Sequence, residues 1–279
     1  MPDKGIIGLA LLVALLGQGL SFAASPASAQ TLNFTSQNSE TGIEIYADDG
    51  IEWQQNNLIF LARGNARAVR GNVAVHADLL RAHYQEKDGG DTVIKRLDAV
   101  GHVRIVTPTE TAYGEKGVYD IDNAIFVLSG GKVRLVAGDD EITADRQLEY
   151  WERKQMAVAR GNAVAVREHK KLRANLLAAY FRKTSEGKNV IHRIEAFDNV
   201  RLDTATEKVT ADRSVYNVKS GIATLTGSVT ITRGSNRLDG CSAEINLNTG
   251  ISTLYSCSTS QAGGKRVHGL ITPRNVKKK

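Results

Sequence analysis

Four aspartates in the chain each follow a small residue, at Ala47-Asp48, Ala77-Asp78, Ala144-Asp145 and Ala211-Asp212, and an acidic run, Asp139-Asp140-Glu141, stands among them. Carboxylates in a row are what a glycoside hydrolase or a metal site requires: an acid and a base flanking a glycosidic bond, or several oxygens around a cation. The spacing argues for a different cause. The same small-then-polar marker recurs as Gly114-Glu115, Ala174-Asn175 and Cys241-Ser242, and the seven copies are separated by 30, 37, 30, 30, 37 and 30 residues. The acids return because a structural unit returns, and the acidic run reads as a solvated turn. The rest of the inventory is sparse. Six histidines are scattered, and the sequence lacks H-E-x-x-H, G-x-S-x-G, G-x-x-x-x-G-K and C-x-x-C, the signatures of zinc hydrolysis, serine nucleophiles, phosphate cradles and dithiol redox chemistry. No enzyme, cofactor or metal is expected.

The two cysteines offer the remaining chemistry. Cys241 and Cys257 lie symmetrically about Thr249. A three-residue turn, Asn248-Thr249-Gly250, would set them opposite each other on adjacent strands, where Cα atoms are about 4.5 to 5.5 Å apart and a disulfide can form. The other reading is that Cys241 fills the small marker position and stays a buried free thiol.

The elements that carry these residues are repeated. LARGNARAV at 61–69 returns as VARGNAVAV at 158–166, and a shift of 97 aligns residues 47–105 with 144–202 without a gap, about 22 of the 59 pairs being identical. Inside that long period runs the shorter one of about 30, the mark of stacked supersecondary units sharing one core. The two longer units absorb seven extra residues in QEKDGGD and RKTSEGK, which read as polar loops. Val103 and Ile105 flank Arg104, Val133 and Leu135 flank Arg134, and Val200 and Leu202 flank Arg201. A period of two puts the aliphatics on one face and the arginines on the other. Gly64-Asn65, Gly161-Asn162 and Gly227-Ser228 read as type II′ hairpin corners. Second reversals are expected near Gln54–Asn57, Asp122-Asn123, Lys219–Gly221 and Asn248–Gly250. The fold class is therefore all-β.

The ends and the composition bound the setting. Lys4, an apolar run from Ile6 to Leu16 and Ala27-Ser28-Ala29 before Gln30 have the layout of a cleaved secretory signal, and the run is shorter than the roughly 20 residues of a membrane span, the other reading of this segment. Export would place the cysteines in an oxidising compartment. It would also make anionic lipid or surface polysaccharide a better partner class than nucleic acid for a chain of net charge +6.

Tandem units of Ala-Asp-x-x-φ-x-aromatic followed by φ-x-x-Gly-Asn-Val-x-φ, with a signal before them and RVHGLITP and a basic tail after them, resemble the LptA/OstA family of lipopolysaccharide-export proteins over roughly residues 40–275. The resemblance implies an open β-jellyroll of about seven units whose groove takes lipid acyl chains. It implies a periplasmic bridge joined by edge-strand pairing to an LptC-like inner-membrane jellyroll and an LptD-like outer-membrane one, with head-to-tail self-association. Residues 1–29 are then the signal, 30–41 an extension, 42–272 the jellyroll and 273–279 a disordered basic tail.

On that frame the lipid-facing candidates are Phe60, Leu97, Val103, Ile105, Val127, Val133, Leu135, Val158, Ile194, Val200, Leu202, Val229 and Ile231. The partner edges are GIEIY at 42–46, with Ile43 and Ile45, and Ile251–Tyr255, with Ile251 and Leu254, the latter strand covered by the segment up to Thr272. Small residues such as Ala62, Ala99, Ala159 and Ala196 leave room for a guest; they equally let two sheets approach, so ordinary core packing is the other reading. A scaffold or adhesin with a closed core, and a β-helical polysaccharide enzyme, are the rival functions.

Overall fold

Alternation with a period of two runs almost the length of the chain, and the computed structural model accordingly consists of strands. It describes residues 43–86, 92–185, 189–257 and 266–272; the expected signal, the extension, the basic tail and parts of both polar loops lie outside the described residues. The first repeat holds β1 (Glu44–Tyr46), β2 (Gly50–Gln54), a 3-10 turn at Gln55–Asn57, β3 (Ile59–Arg70), β4 (Val73–Glu86), β5 (Thr92–Val106), β6 (Thr111–Asp120), β7 (Ile125–Ser129) and β8 (Val133–Ala137). The second holds β9 (Asp140–Ala144), β10 (Gln147–Trp151), β11 (Met156–Arg167), β12 (Lys170–Lys183), β13 (Asn189–Asp203), β14 (Lys208–Asn217) and β15 (Ile222–Arg233). After it come β16 (Asn236–Asn246), β17 (Ile251–Tyr255) and β18 (His268–Leu270).

Among the described residues all pairings are antiparallel, and the eighteen strands belong to one sheet. Ten strands are long. The eight short ones pair off as β1 with β2, β7 with β8, β9 with β10 and β17 with β18, each couple filling the place of one long strand, so the sheet is fourteen strands deep. At about 4.8 Å per strand the stack is roughly 60 Å long.

A bend runs through every level. Arg63 pairs with Leu79 and Ala66 with Ala77, so Gly64-Asn65 adds one residue to β3 against β4. The same one-residue shift lies at Gly101-His102, Gly161-Asn162, Asp198-Asn199 and Gly227-Ser228. These pairs are β-bulges inside continuous strands, and the expectation of type II′ hairpin corners is corrected: both residues do take positive φ, 73° and 43° at Gly64 and Asn65, but the chain bends there and does not reverse. The marker residues sit opposite. Asn65 and Asn162 each donate a side-chain hydrogen bond of 2.8 Å to Asp48 and Asp145, and His102 pairs with Asp78 at 2.9 Å. A Cβ on Gly227 would lie 2.1 Å from Asp212 Oδ2. The repeated aspartates thus serve the bend. Gly227→Ala should cost about 1–3 kcal/mol, from the positive φ and the displaced carboxylate, read as a lowered thermal melt.

The bend divides the sheet into two arms whose inner faces share one hydrophobic cluster. The first arm contains β2, β7, β10 and β17, and the second β1, β8, β9 and β18. Cross-strand pairing lines up the inner residues into rows. One row of the first arm reads Phe60, Ala82, Leu97, Tyr119, Phe126, Tyr150, Ala157, Ala179, Ile194, Tyr216, Ala223, Ile245. Ala82, Ala157, Ala179 and Ala223 interrupt its large residues, which lets the facing arm interdigitate. Next to the bend the small marker residues Ala77, Ala144, Ala174 and Ala211 are buried, because the arms are closest there. The fold is an open β-jellyroll, as expected.

Candidate apolar groove and its end strands

Towards the N-terminal end the two arms do not fill the space between them. A cavity of about 350 Å³ is lined by Phe60, Ala62, Leu80, Ala82, Ile94 and Leu97 from the first arm, by Ala68, Val75 and Ile105 from the second, and by Ile43, Ile45 and Ile51 at the open end. The lining is almost wholly apolar, which suits hydrocarbon and disfavours charged or sugar-like guests. At its inner end Tyr119 donates a 2.8 Å hydrogen bond to Glu152. Burial pushes the Glu152 carboxyl up from its ordinary range, and that hydrogen bond opposes the shift.

The sequence-named residues divide into three groups. Phe60, Leu97 and Ile105 line the cavity. Val103, Val133, Leu135, Ile194, Val200, Val229 and Ile231 are buried on the inner face, with Leu202 packed against them; these pack arm against arm. Val127 and Val158 are corrections. They lie in an outer row of the first arm that runs Asp98, Val118, Val127, Glu149, Val158, Ala178, Glu195. In both strands apolar residues occupy both faces, so alternation leaves the parity open. The residues that face inward are Phe126 and Leu128, and Ala157 and Ala159. Arg104, Arg134 and Arg201 are exposed.

Most of that outer row is itself buried, its carboxylates paired with charges, while Val118 and Val127 are half-buried. Asp98 sits between His83 at 3.0 Å and Arg96 at 2.8 Å. Glu149 accepts from Gln147, Trp151 and Arg160, and Glu195 lies between Arg193 and Arg213. A buried carboxylate is tolerable only when paired in this way. Asp140, expected in a solvated turn, is also buried and held by Arg167 at 3.2 Å; burial pushes its pKa up.

The ends of the stack expose backbone and apolar side chains together. Among the described residues, β1 and β2 pair only with β3, and β17 and β18 only with β16, so within them four short strands each have a free edge. Ile45 lies in β1, with Ile43 just before it and partly buried; Ile251 is 63% exposed, whereas Leu254 packs onto the core. Sequence reasoning missed β2 as an edge, with Ile51 and Trp53 more than half exposed. The signal for it was present, since these residues align with Leu148 and Tyr150 one repeat later. Of the segment expected to cover β17, the described part, residues 266–272, carries β18, which pairs with Arg237–Asp239 in the second arm. Cys241 and Cys257 are joined with Cα atoms 5.1 Å apart. The turn between them has four residues, Asn246 pairing with Ile251, so the cysteines are offset by one from direct opposition and Cys257 lies just beyond the last paired residue.

Comparison with known proteins places these features. The family described as LptA/(LptD N-terminal domain) LPS transport protein matches residues 44–146 and again 141–251, two matches whose starts are offset by the same 97 residues as the internal repeat. An uncharacterized protein of Rhizobium meliloti (strain 1021) is 27% identical over 137 residues, 45% of this chain and 72% of that protein. Among solved structures, LptH from Pseudomonas aeruginosa, described as the LptA homologous periplasmic component of a lipopolysaccharide transport device, matches 48% of this chain and 95% of its own length at 17% identity and a TM-score of 0.41.

Proposed function

The chain belongs to the LptA/(LptD N-terminal domain) family of lipopolysaccharide transport proteins, and from that premise we propose that it holds lipopolysaccharide acyl chains between its two arms and passes them between membranes as a periplasmic bridge. The observation that carries this reading is the apolar cavity at the N-terminal end, lined from both arms and opening beside the free strands β1 and β2. Burying one methylene is worth about 0.8 kcal/mol, so a chain of a dozen carbons is held by roughly 10 kcal/mol and must pass between apolar seats without crossing water. A cavity that ends at an unpaired strand edge supports that, because a partner jellyroll added to the edge would continue the apolar row. In the second repeat the arms are in contact, and passage of a chain there requires them to part.

The geometry of the ends favours head-to-tail joining. The first level runs from the second arm to the first and the fourteenth from the first to the second. The last level of one copy can therefore pair antiparallel with the first level of the next, arm matched to arm, and the same holds for LptC-like and LptD-like partners. Glu44→Pro tests the bridge. Proline at an edge removes a ladder donor and blocks strand addition, so self-association and binding to an LptC-like jellyroll, measured by sedimentation and by surface capture, should weaken about tenfold or more with the thermal melt nearly unchanged. Full binding by that variant would rule out pairing through β1.

A further inference from the structure

On the outside of the second repeat a cleft of about 520 Å³ opens over β11 to β15, lined by Arg173, Arg201, Thr210, Asn175, Asn199, Asp212 and Ser228 among others. Arg173 and Arg201 face each other directly in register. Two like charges so placed repel, and among the described residues neither guanidinium has an ion pair or hydrogen bond. One carboxylate, Asp212, stands in the lining, packed against Gly227.

The first repeat supplies an internal comparison 97 residues earlier. There the corresponding row is Arg67, His76, Arg104, Tyr113. Asp78 stands at the position of Asn175 and is paired with His102, which stands at the position of Asn199. In the second repeat Val164 replaces Arg67 and Thr210 replaces Tyr113, removing bulk, while Asn175 replaces Asp78, removing negative charge. Arg173 stands where the first repeat has His76, so the changes open a cleft, set two guanidiniums opposite each other and leave Asp212 as the carboxylate in its described lining.

We infer that this cleft binds a phosphorylated saccharide, the Arg173 and Arg201 guanidiniums holding the phosphate and the Asn175, Asn199, Thr210 and Ser228 side chains the sugar hydroxyls. Guanidinium pairs match phosphate oxygens in a bidentate fashion. Amides and hydroxyls both donate and accept, as sugar hydroxyls do. Among the described residues no aromatic ring lines the cleft, which removes the stacking surface a nucleobase would use. The volume is that of a small-ligand site. The cleft lies on the opposite face of the sheet from the apolar cavity, so it stands whether or not the inner face carries lipid.

Titration calorimetry of the whole mature chain with glucose 1-phosphate, inorganic phosphate and glucose at low salt tests the assignment. Glucose 1-phosphate should bind in the submillimolar range, inorganic phosphate at least threefold more weakly, and glucose without measurable heat. Arg201→Gln and Asn175→Asp, the second restoring the acid of the first repeat without loss of volume, should each weaken glucose 1-phosphate at least tenfold with unchanged acyl-chain binding. Absence of glucose 1-phosphate binding, equal affinity for inorganic phosphate, or full affinity in Asn175→Asp would overturn it.

Discussion

Ala82→Trp should lower affinity for acyl chains about a hundredfold while the chain still folds. Ala82 is a small member of its inner row, between Phe60 and Leu97, and its side chain lines the cavity of about 350 Å³. An indole there displaces three or four methylenes of any guest, and at about 0.8 kcal/mol each the loss is close to 3 kcal/mol, a factor of about a hundred. Gly117→Ala is the graded companion: Gly117 also lines the cavity, its added Cβ meets Ala99 and Val103 at 3.5 Å, ordinary contact, and one added carbon should lower affinity by no more than about fourfold. Displacement of a fluorescent acyl probe reads both variants, with circular dichroism to report folding. Equal affinity of Ala82→Trp and the parent would show that the cavity is not where chains sit.

The second large effect concerns the C-terminal levels. Cys241 and Cys257 are 16 residues apart, and cross-linking a loop of that size is worth about 3 kcal/mol in the chain-entropy account. β17 is five residues long and β18 three, and among the described residues each is paired on one side only, so few ladder bonds hold this end. Replacing both cysteines with serine should therefore release β17 and β18 first, seen as fast amide exchange in Ile251–Tyr255 and His268–Leu270 while β11 to β14 stay protected. The oxidised parent treated with reductant should behave alike. Identical exchange in parent and double variant would mean that the bond adds nothing to this end.

Much of the architecture is legible in the sequence because the repeat writes it more than once. The 97-residue period, the two-residue alternation around Arg104, Arg134 and Arg201 and the recurring marker specify a stacked antiparallel sheet and which face is buried. The bulges were not legible, because Gly-Asn with two positive φ values serves a tight turn as well as a bend; only the pairing on both sides of Gly64-Asn65, with β4 throughout, distinguishes them. The parity of β7 and β11 was hidden by apolar residues on both faces, and at Val158 the larger residue points out because Tyr150 already fills the space opposite Ala157. The site was legible in its type but not in its extent. Alternation marks an apolar inner face, yet whether the facing arms touch depends on three-dimensional packing: Leu177 and Ala165 have no exposed surface in the second repeat, while Ala68, Ala82 and Leu97 leave a cavity in the first.

Photocrosslinking to lipopolysaccharide in the living cell tests the transport reading most directly. A photoreactive phenylalanine derivative at Phe60 or Leu97, both lining the cavity, should form lipid adducts. The same group at Val127 or Arg104, on the outer face of the sheet, should form none. Adducts from the outer positions equal to those from the inner ones, or none from any, would contradict passage of lipid between the arms.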